Sequence, residues 1–161
     1  MKDPSSLGRH LGEEYMSFSA SEENIEDIHQ LEKNSGAKDI WSREELRKIY
    51  RLSSCSMVVV YKTARKPKPV CYLAFSVRNN RLSLWNLAVH SEHRLQGLGS
   101  KMIQWVAREH SKMDMTATVR ESDLGSQVFL RQSGFTCMKI VKGSFRAPVE
   151  DGYYFAMRSL R

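Results

Sequence analysis

Cysteine is scarce in this chain: Cys55, Cys71 and Cys137 are odd in number, far apart, and form no CxxC pair. That usage argues against a disulfide framework and against a zinc site, both of which need paired ligands at suitable spacing. No apolar run approaches the roughly 20 residues of a membrane span. The opening Met1 to Glu14 is too polar for a secretory leader. Internal repeats and low-complexity tracts are absent as well. No metal and no membrane are expected, and the chain reads as a protein of a reducing, cytoplasmic compartment.

What is present suits one globular domain. The 161 residues are 41% hydrophobic and 27% charged, enough for a proper core. Lys and Arg number 25 against 18 Asp and Glu, a net charge of +7. A basic surface attracts nucleic acid, acidic protein or a polyphosphate ligand alike, so nucleic acid stays open as a partner without being implied. The densest basic cluster, Lys62, Arg65, Lys66 and Lys68, reads as a solvated hairpin tip. Nothing in the pattern sets an oligomeric state.

Residues 1–14 lack periodicity and read as a polar N-terminal extension, with one domain over 15–161. Tyr15 to Ser19 alternates as a short strand. Ser21 caps a helix with Glu22 and Glu23 in its first turn and Ile25, Ile28 and Leu31 as its buried stripe. Ser42-Arg43-Glu44-Glu45 is a capping box opening a second helix. Ser56 to Tyr61 and Val70 to Val77 form a hairpin, and Asn79-Asn80 turns the chain into Leu82 to Val89. After the loop that follows, Ser100 to Arg108 is a helix with Met102, Ile103, Trp105 and Val106 on its core face. Asp114 to Val119, a helix over 123–132 ended by Gly134, and the strands 135–141 and 152–157 complete the domain.

Between the strand ending at Val89 and the helix at Ser100 lies Arg94-Leu95-Gln96-Gly97-Leu98-Gly99. A strand, a basic glycine-containing loop and a helix in that order suit a diphosphate. Glycine lets the backbone come close, and the N–H groups of a helix start converge on one anion. The whole segment from Leu84 to Gly99 resembles the acyl-CoA site of the GNAT superfamily of N-acetyltransferases, whose Gln/Arg-x-x-Gly-x-Gly/Ala pattern is met by Arg94, Gly97 and Gly99. The element order β-α-α-β-β-β-α-β-α-β-β is similar to that fold too, over roughly Tyr15 to Leu160. Ile40-Trp41-Ser42, Val119-Arg120-Glu121-Ser122-Asp123, Ser133-Gly134-Phe135 and Glu150-Asp151 resemble the RimI-like ribosomal-protein alanine N-acetyltransferases within it.

The resemblance implies an α/β (layered α+β) GNAT acyl-CoA N-acyltransferase fold, a mixed, mostly antiparallel sheet flanked by helices. It implies acetyl-CoA as cosubstrate. Leu87, Ala88 and Val89 would offer backbone groups to the pantetheine arm. Leu95, Gln96, Gly97, Leu98, Gly99 and Ser100 would hold the diphosphate, with Arg94 adding charge and Asp123 standing where an asparagine often touches CoA. The loops Ser35 to Trp41 and Lys142 to Asp151 would frame the acceptor, with Trp41 and Phe145 as aromatic candidates and Glu150-Asp151 as acidic ones.

Catalysis is where the sequence departs from this pattern. RimI-like enzymes carry a glutamate base two residues before the arginine matched by Arg120, and Thr118 stands there. They carry a tyrosine, which returns a proton to the CoA thiolate, five residues before Phe135, and Leu130 stands there. Thr118 as an anchor for water, His90 as a group titrating in the useful range, and Ser133 about one turn beyond Leu130 are the substitutes on offer. Their plainer readings are a β-forming threonine, an exposed loop histidine and a helix-end serine. Tyr153 and Tyr154 read as strand residues with one facing inward. Cys137 is not needed, because amine attack on a thioester requires no covalent enzyme.

The expected activity is transfer of an acetyl group from acetyl-CoA to an amine, in particular a protein N-terminal α-amine, by direct attack in a ternary complex. The alternatives are a catalytically weakened GNAT that binds acetyl-CoA or protein, and an enzyme for a small amine or aminoacyl-tRNA.

Overall fold

The computed structural model describes residues 5–37 and 39–159. Along the chain run α1 (Ser5–Leu11), β1 (Tyr15–Ser19), α2 (Ile25–Asn34), α3 (Arg43–Tyr50), β2 (Cys55–Lys62), β3 (Lys68–Arg78), β4 (Arg81–Val89), α4 (Leu98–Glu109), β5 (Asp114–Arg120), α5 (Leu124–Gln132), β6 (Thr136–Arg146) and β7 (Val149–Met157). The seven strands form one sheet in the order β1-β2-β3-β4-β5-β7-β6. β2 and β3 lie inside the sheet rather than at its edge, and their β-branched and aromatic runs are buried on both faces.

Local chemistry sets the element ends. Ser42 Oγ accepts from Glu45 N and the Glu45 carboxylate accepts from Ser42 N, the reciprocal cap expected of that motif. Asn79 and Asn80 adopt left-handed φ values of 51° and 55°, which asparagine tolerates, and so turn β3 into β4.

The sheet carries a hydrophobic layer on each face. One joins α1, α4 and α5 to the strands through Leu7, Leu11, Leu98, Met102, Ile103 and Leu130. The other joins α2 and α3 to β2, β3 and β4 through Ile25, Ile28, Leu31, Leu46, Tyr72 and Ala88.

Two sequence expectations change. The segment read as a polar extension contains α1, whose Leu7 and Leu11 are fully or nearly buried in the first layer. Two leucines four residues apart make one helical stripe, too short to register as periodicity in a polar sequence. Lys142 to Asp151 is not an open loop: β6 runs on to Arg146 and β7 starts at Val149, so the segment is mostly hairpin with an irregular register between Val141 and Phe145.

The candidate acyl-CoA site

All strand pairs are antiparallel except β4 with β5, and that pair opens into a wedge. Parallel pairing runs only from Arg81↔Asp114 to Leu84↔Ala117. Beyond it β4 stays on β3 as far as Val89, while β5 follows β7 as far as Arg120. A bulge at Trp85, between the pairs Ala74↔Asn86 and Phe75↔Leu84, bends β4 where the strands part. Leu87, Ala88 and Val89 therefore have no partner on β5, and this edge can take an extended ligand by main-chain hydrogen bonds.

The loop after β4 leads into a helix start that has no side-chain cap. Ser91–His93 forms one 3-10 turn, Leu95 is left-handed at φ 59° and wholly exposed, and Gly97 is left-handed at φ 80° as the N-cap of α4. The first α4 backbone bond runs from Lys101 N to Gly97 O, so the N–H groups of Leu98, Gly99 and Ser100 have no carbonyl partner within the helix. A Cβ at Gly97 would have nothing within 4 Å, so the space in front of the helix start is open. One at Gly99 would lie 3.2 Å from Phe129 Cζ and 3.6 Å from Leu87 Cδ2. The unpaired strand edge and the free N–H groups fit the pantetheine arm and diphosphate of an acyl-CoA.

Other expected residues hold different partners. Arg94 folds back, its Nε donating to Val89 O at 3.4 Å and its guanidinium 3.9 Å from where a Gly36 Cβ would stand, and so spans toward the loop between α2 and α3. Gln96 Nε2 donates to Glu92 O at 3.1 Å. Asp123 caps α5 by accepting from Ser126 N at 3.1 Å. His90 Nδ1 accepts from Glu92 N, and its ring meets that of His93 edge-on at 5.9 Å. One ring nitrogen of His90 is thus used in holding the loop.

Ser133 lies at the far end of α5 from Asp123. It is the C-cap of α5, and the adjoining Gly134 packs on Met157, the residue paired with Met115 at the start of β5. That is the closed end of the wedge. Ser133 Oγ is buried without a partner. Leu130 itself is only 4% exposed and belongs to the core.

Thr118 is exposed on β5, paired with Tyr154, and its Cγ2 lies 2.8 Å from where a Cβ at Gly152 would stand. Arg120, two residues on along the same face, ties together the segments that border this region. Its guanidinium donates to Asp39 Oδ2 at 2.5 Å, Glu150 Oε2 at 3.3 Å and the carbonyls of Ala147 and Pro148 at 3.1 Å each. It also stacks 4.4 Å over the Phe145 ring. Phe145 and Glu150 are therefore committed to Arg120, and Asp151 to Lys142 and Gly143 N. The backbone and side-chain hydrogen bonds of Ser122, and after them Arg120, hold the Glu150 carboxyl below its ordinary range against the effect of burial.

Sequence reasoning missed a second cluster. Glu32, at the end of α2, is 1% exposed, and its carboxylate accepts from Tyr72 Oη, Trp41 N and, at 2.6 Å, Asn86 Nδ2. Burial pushes its carboxyl up to about 6 against the opposing hydrogen bonds of Tyr72 and Trp41. Its carboxylate pushes the Tyr72 hydroxyl well up in turn, with burial the larger cause. In the sequence, Glu32 looks like one more charge on a solvated helix face; only its position, one residue after buried Leu31, hinted otherwise.

Among the described residues no group of three His, Cys, Asp or Glu side chains has metal-site geometry, and no helix is long and apolar enough to cross a membrane.

No curated sequence matches the chain significantly. Solved structures do. A ribosomal-protein alanine N-acetyltransferase from Escherichia coli is 18% identical, with a TM-score of 0.75 over 91% of this chain and 96% of the other. RimL, a ribosomal α-N-protein acetyltransferase solved with coenzyme A, is 15% identical, with a TM-score of 0.73 over 92% and 96%. A spermidine N-acetyltransferase SpeG chimera from Vibrio cholerae and hSSAT is 12% identical, with a TM-score of 0.71 over 90% and 95%. These likenesses concern the fold. The model of the acetyltransferase (GNAT) family matches residues 23–135, from just before α2 to the residue before β6, and the chain belongs to that family.

Proposed function

We propose that this protein transfers the acetyl group of acetyl-CoA to a primary amine, in particular the N-terminal α-amine of a protein or peptide, by direct attack in a ternary complex. The observation that carries the reading is the wedge between β4 and β5, which opens onto the unpaired N–H groups of α4. Leu87, Ala88 and Val89 would hold the pantetheine arm, and the backbone from Leu95 to Ser100 the diphosphate. Acetyl-CoA supplies the thioester carbon that the amine attacks. The chain's own contribution is to align that carbon with the nucleophile, an effect of positioning and local electrostatics.

The acceptor preference follows from the exposed Thr118. Without a carboxylate there, the amine must lose its proton by itself or through water. An α-amine has a pKa of about 7.7–8.0 and is partly neutral at pH 7, whereas a lysine amine near 10.4 is almost wholly charged. Likeness to two ribosomal-protein acetyltransferases supports a protein N-terminus and a RimI-like, cytoplasmic role. The buried Leu130, where the pattern has a proton donor, favours one competing reading, a weakened enzyme that mainly binds acetyl-CoA or a protein.

Acetyl-CoA consumption against peptides with free N-termini, lysine peptides and polyamines separates the readings. Turnover on N-terminal amines is expected. Preference for polyamines would replace the acceptor class, and tight acetyl-CoA binding with no turnover on any amine would replace transfer by binding.

A further inference from the structure

Glu32 is a buried carboxylate whose three partners are all neutral donors, from β3, β4 and the loop before α3; no Lys, Arg or His pairs with it among the described residues. Such a charge is costly unless something is gained by keeping it. One of the donors, Asn86, sits on β4 just past the bulge, two residues before Ala88 and on the same face, roughly 7 Å along the strand. Of the two polar atoms of the Asn86 amide only the nitrogen can donate, so the bond from Nδ2 to Glu32 fixes the orientation of the amide and leaves Oδ1 as a free acceptor. No hydrogen bond reaches that oxygen within the described residues, and Asn86 is only half-buried. Thr118 projects from the same sheet face on the other side of the wedge, since Ser83 and Thr116, one step back on each strand, are joined there at 3.1 Å.

Resting on the acetyl-transfer reading above, we propose that Asn86 and Glu32 form the acceptor-amine subsite. Asn86 Oδ1 accepts an N–H of the incoming amine, and the Glu32 carboxylate behind it offsets the positive charge that develops on that nitrogen. Attack forms the N–C bond at the thioester carbon, the C–S bond breaks, and CoA leaves as the thiolate. The nitrogen's proton passes to water, and the thiolate takes one back from water. Glu32 touches no substrate and is a positioning residue. It aims the amide and supplies, one residue removed, the charge that is missing at Thr118. The ligand class is a primary amine or its ammonium form, and a blocked N-terminus would not be accepted.

The test is calorimetric titration of CoA-loaded protein, which cannot turn over, with a short peptide carrying a free N-terminal alanine and with the same peptide N-acetylated. The wild type should bind only the free amine. Asn86→Ala should weaken that binding roughly ten- to a hundredfold, the worth of a hydrogen bond to a charged group, with CoA affinity unchanged. Glu32→Gln, which keeps an acceptor and removes the charge, should weaken peptide binding by a smaller factor while leaving the fold at least as stable. A purely structural Glu32 would lose stability and binding together. Equal binding of both peptides, unchanged affinity in Asn86→Ala, or a parallel loss of CoA affinity would overturn the subsite. Selective binding that depends on Asn86 without any turnover on acetyl-CoA would keep the subsite and overturn transfer.

Discussion

Gly99 and Phe129 meet across the gap between α4 and α5 so closely that a methyl on Gly99 would stand 3.2 Å from the Phe129 ring. The start of α4 and the helix that borders the wedge are thus set against each other by one missing side chain. Gly99→Ala should cost about 1–2 kcal/mol through overpacking. Phe129→Leu in the same background should restore part of it, a coupling read from denaturant unfolding of the two single variants and the double one. Strict additivity would show that this contact does not set the helix spacing.

Gly97 makes the complementary case. Its φ of 80° suits glycine, and the space beyond its missing Cβ is open. Gly97→Val should remain folded at a cost of about 1–3 kcal/mol and should lose acetyl-CoA affinity, because its side chain stands where the anion would come. Calorimetry giving a wild-type affinity in a folded variant would remove the main support for the loop as cofactor site.

Arg120 joins β5, the β6–β7 hairpin and Asp39, which lies between α2 and α3. Arg120→Lys cannot reproduce the fork of contacts or the stacking on Phe145. The expected outcome is an acceptor KM raised roughly three- to tenfold with acetyl-CoA affinity unchanged, seen in steady-state kinetics with each substrate varied. A fall in kcat alone would place Arg120 nearer the chemistry than its contacts do.

Thr118 has a testable pH signature. The rate should climb with pH until the substrate α-amine is largely neutral, near pH 8. An α-amine peptide should be acetylated much faster than a lysine peptide at pH 7. Thr118→Glu should raise the rate near neutrality by about 10–10²-fold, a base's usual contribution or less. A profile flat from pH 6 to 9 with lysine preferred would show that another base operates.

Glu32 links the candidate subsite to stability. Its carboxyl titrates at about 6 when folded against an ordinary 4.5. The native state therefore holds the proton more tightly between those values. This group's favourable contribution is full below pH 4.5 and is lost as pH rises through 6, by about 2 kcal/mol. Glu32→Gln should accordingly stabilise the protein at pH 7.5 and gain nothing at pH 4.5, measured by urea unfolding at both. Equal effects at the two pH values would mean that the buried charge is already compensated.

Periodicity and short motifs determined much of this protein from sequence alone. The capping box at Ser42, the Asn79-Asn80 turn, the core face of α4 and the strand-loop-helix around Gly97 depend on contacts within a few residues, so they are legible in a string of letters. The departures at Thr118 and Leu130 were legible too, because they are local mismatches to a local pattern. Tertiary structure alone decided the rest. α1 has only Leu7 and Leu11 to mark it, and their burial depends on a sheet built from residues far along the chain. Arg120 meets Asp39 across 81 positions and Asn86 meets Glu32 across 54, and no spacing rule reaches that far. A charged residue on a helix is ordinarily solvated, so only the fold, by setting Glu32 under Tyr72 and Asn86, makes it a buried carboxylate.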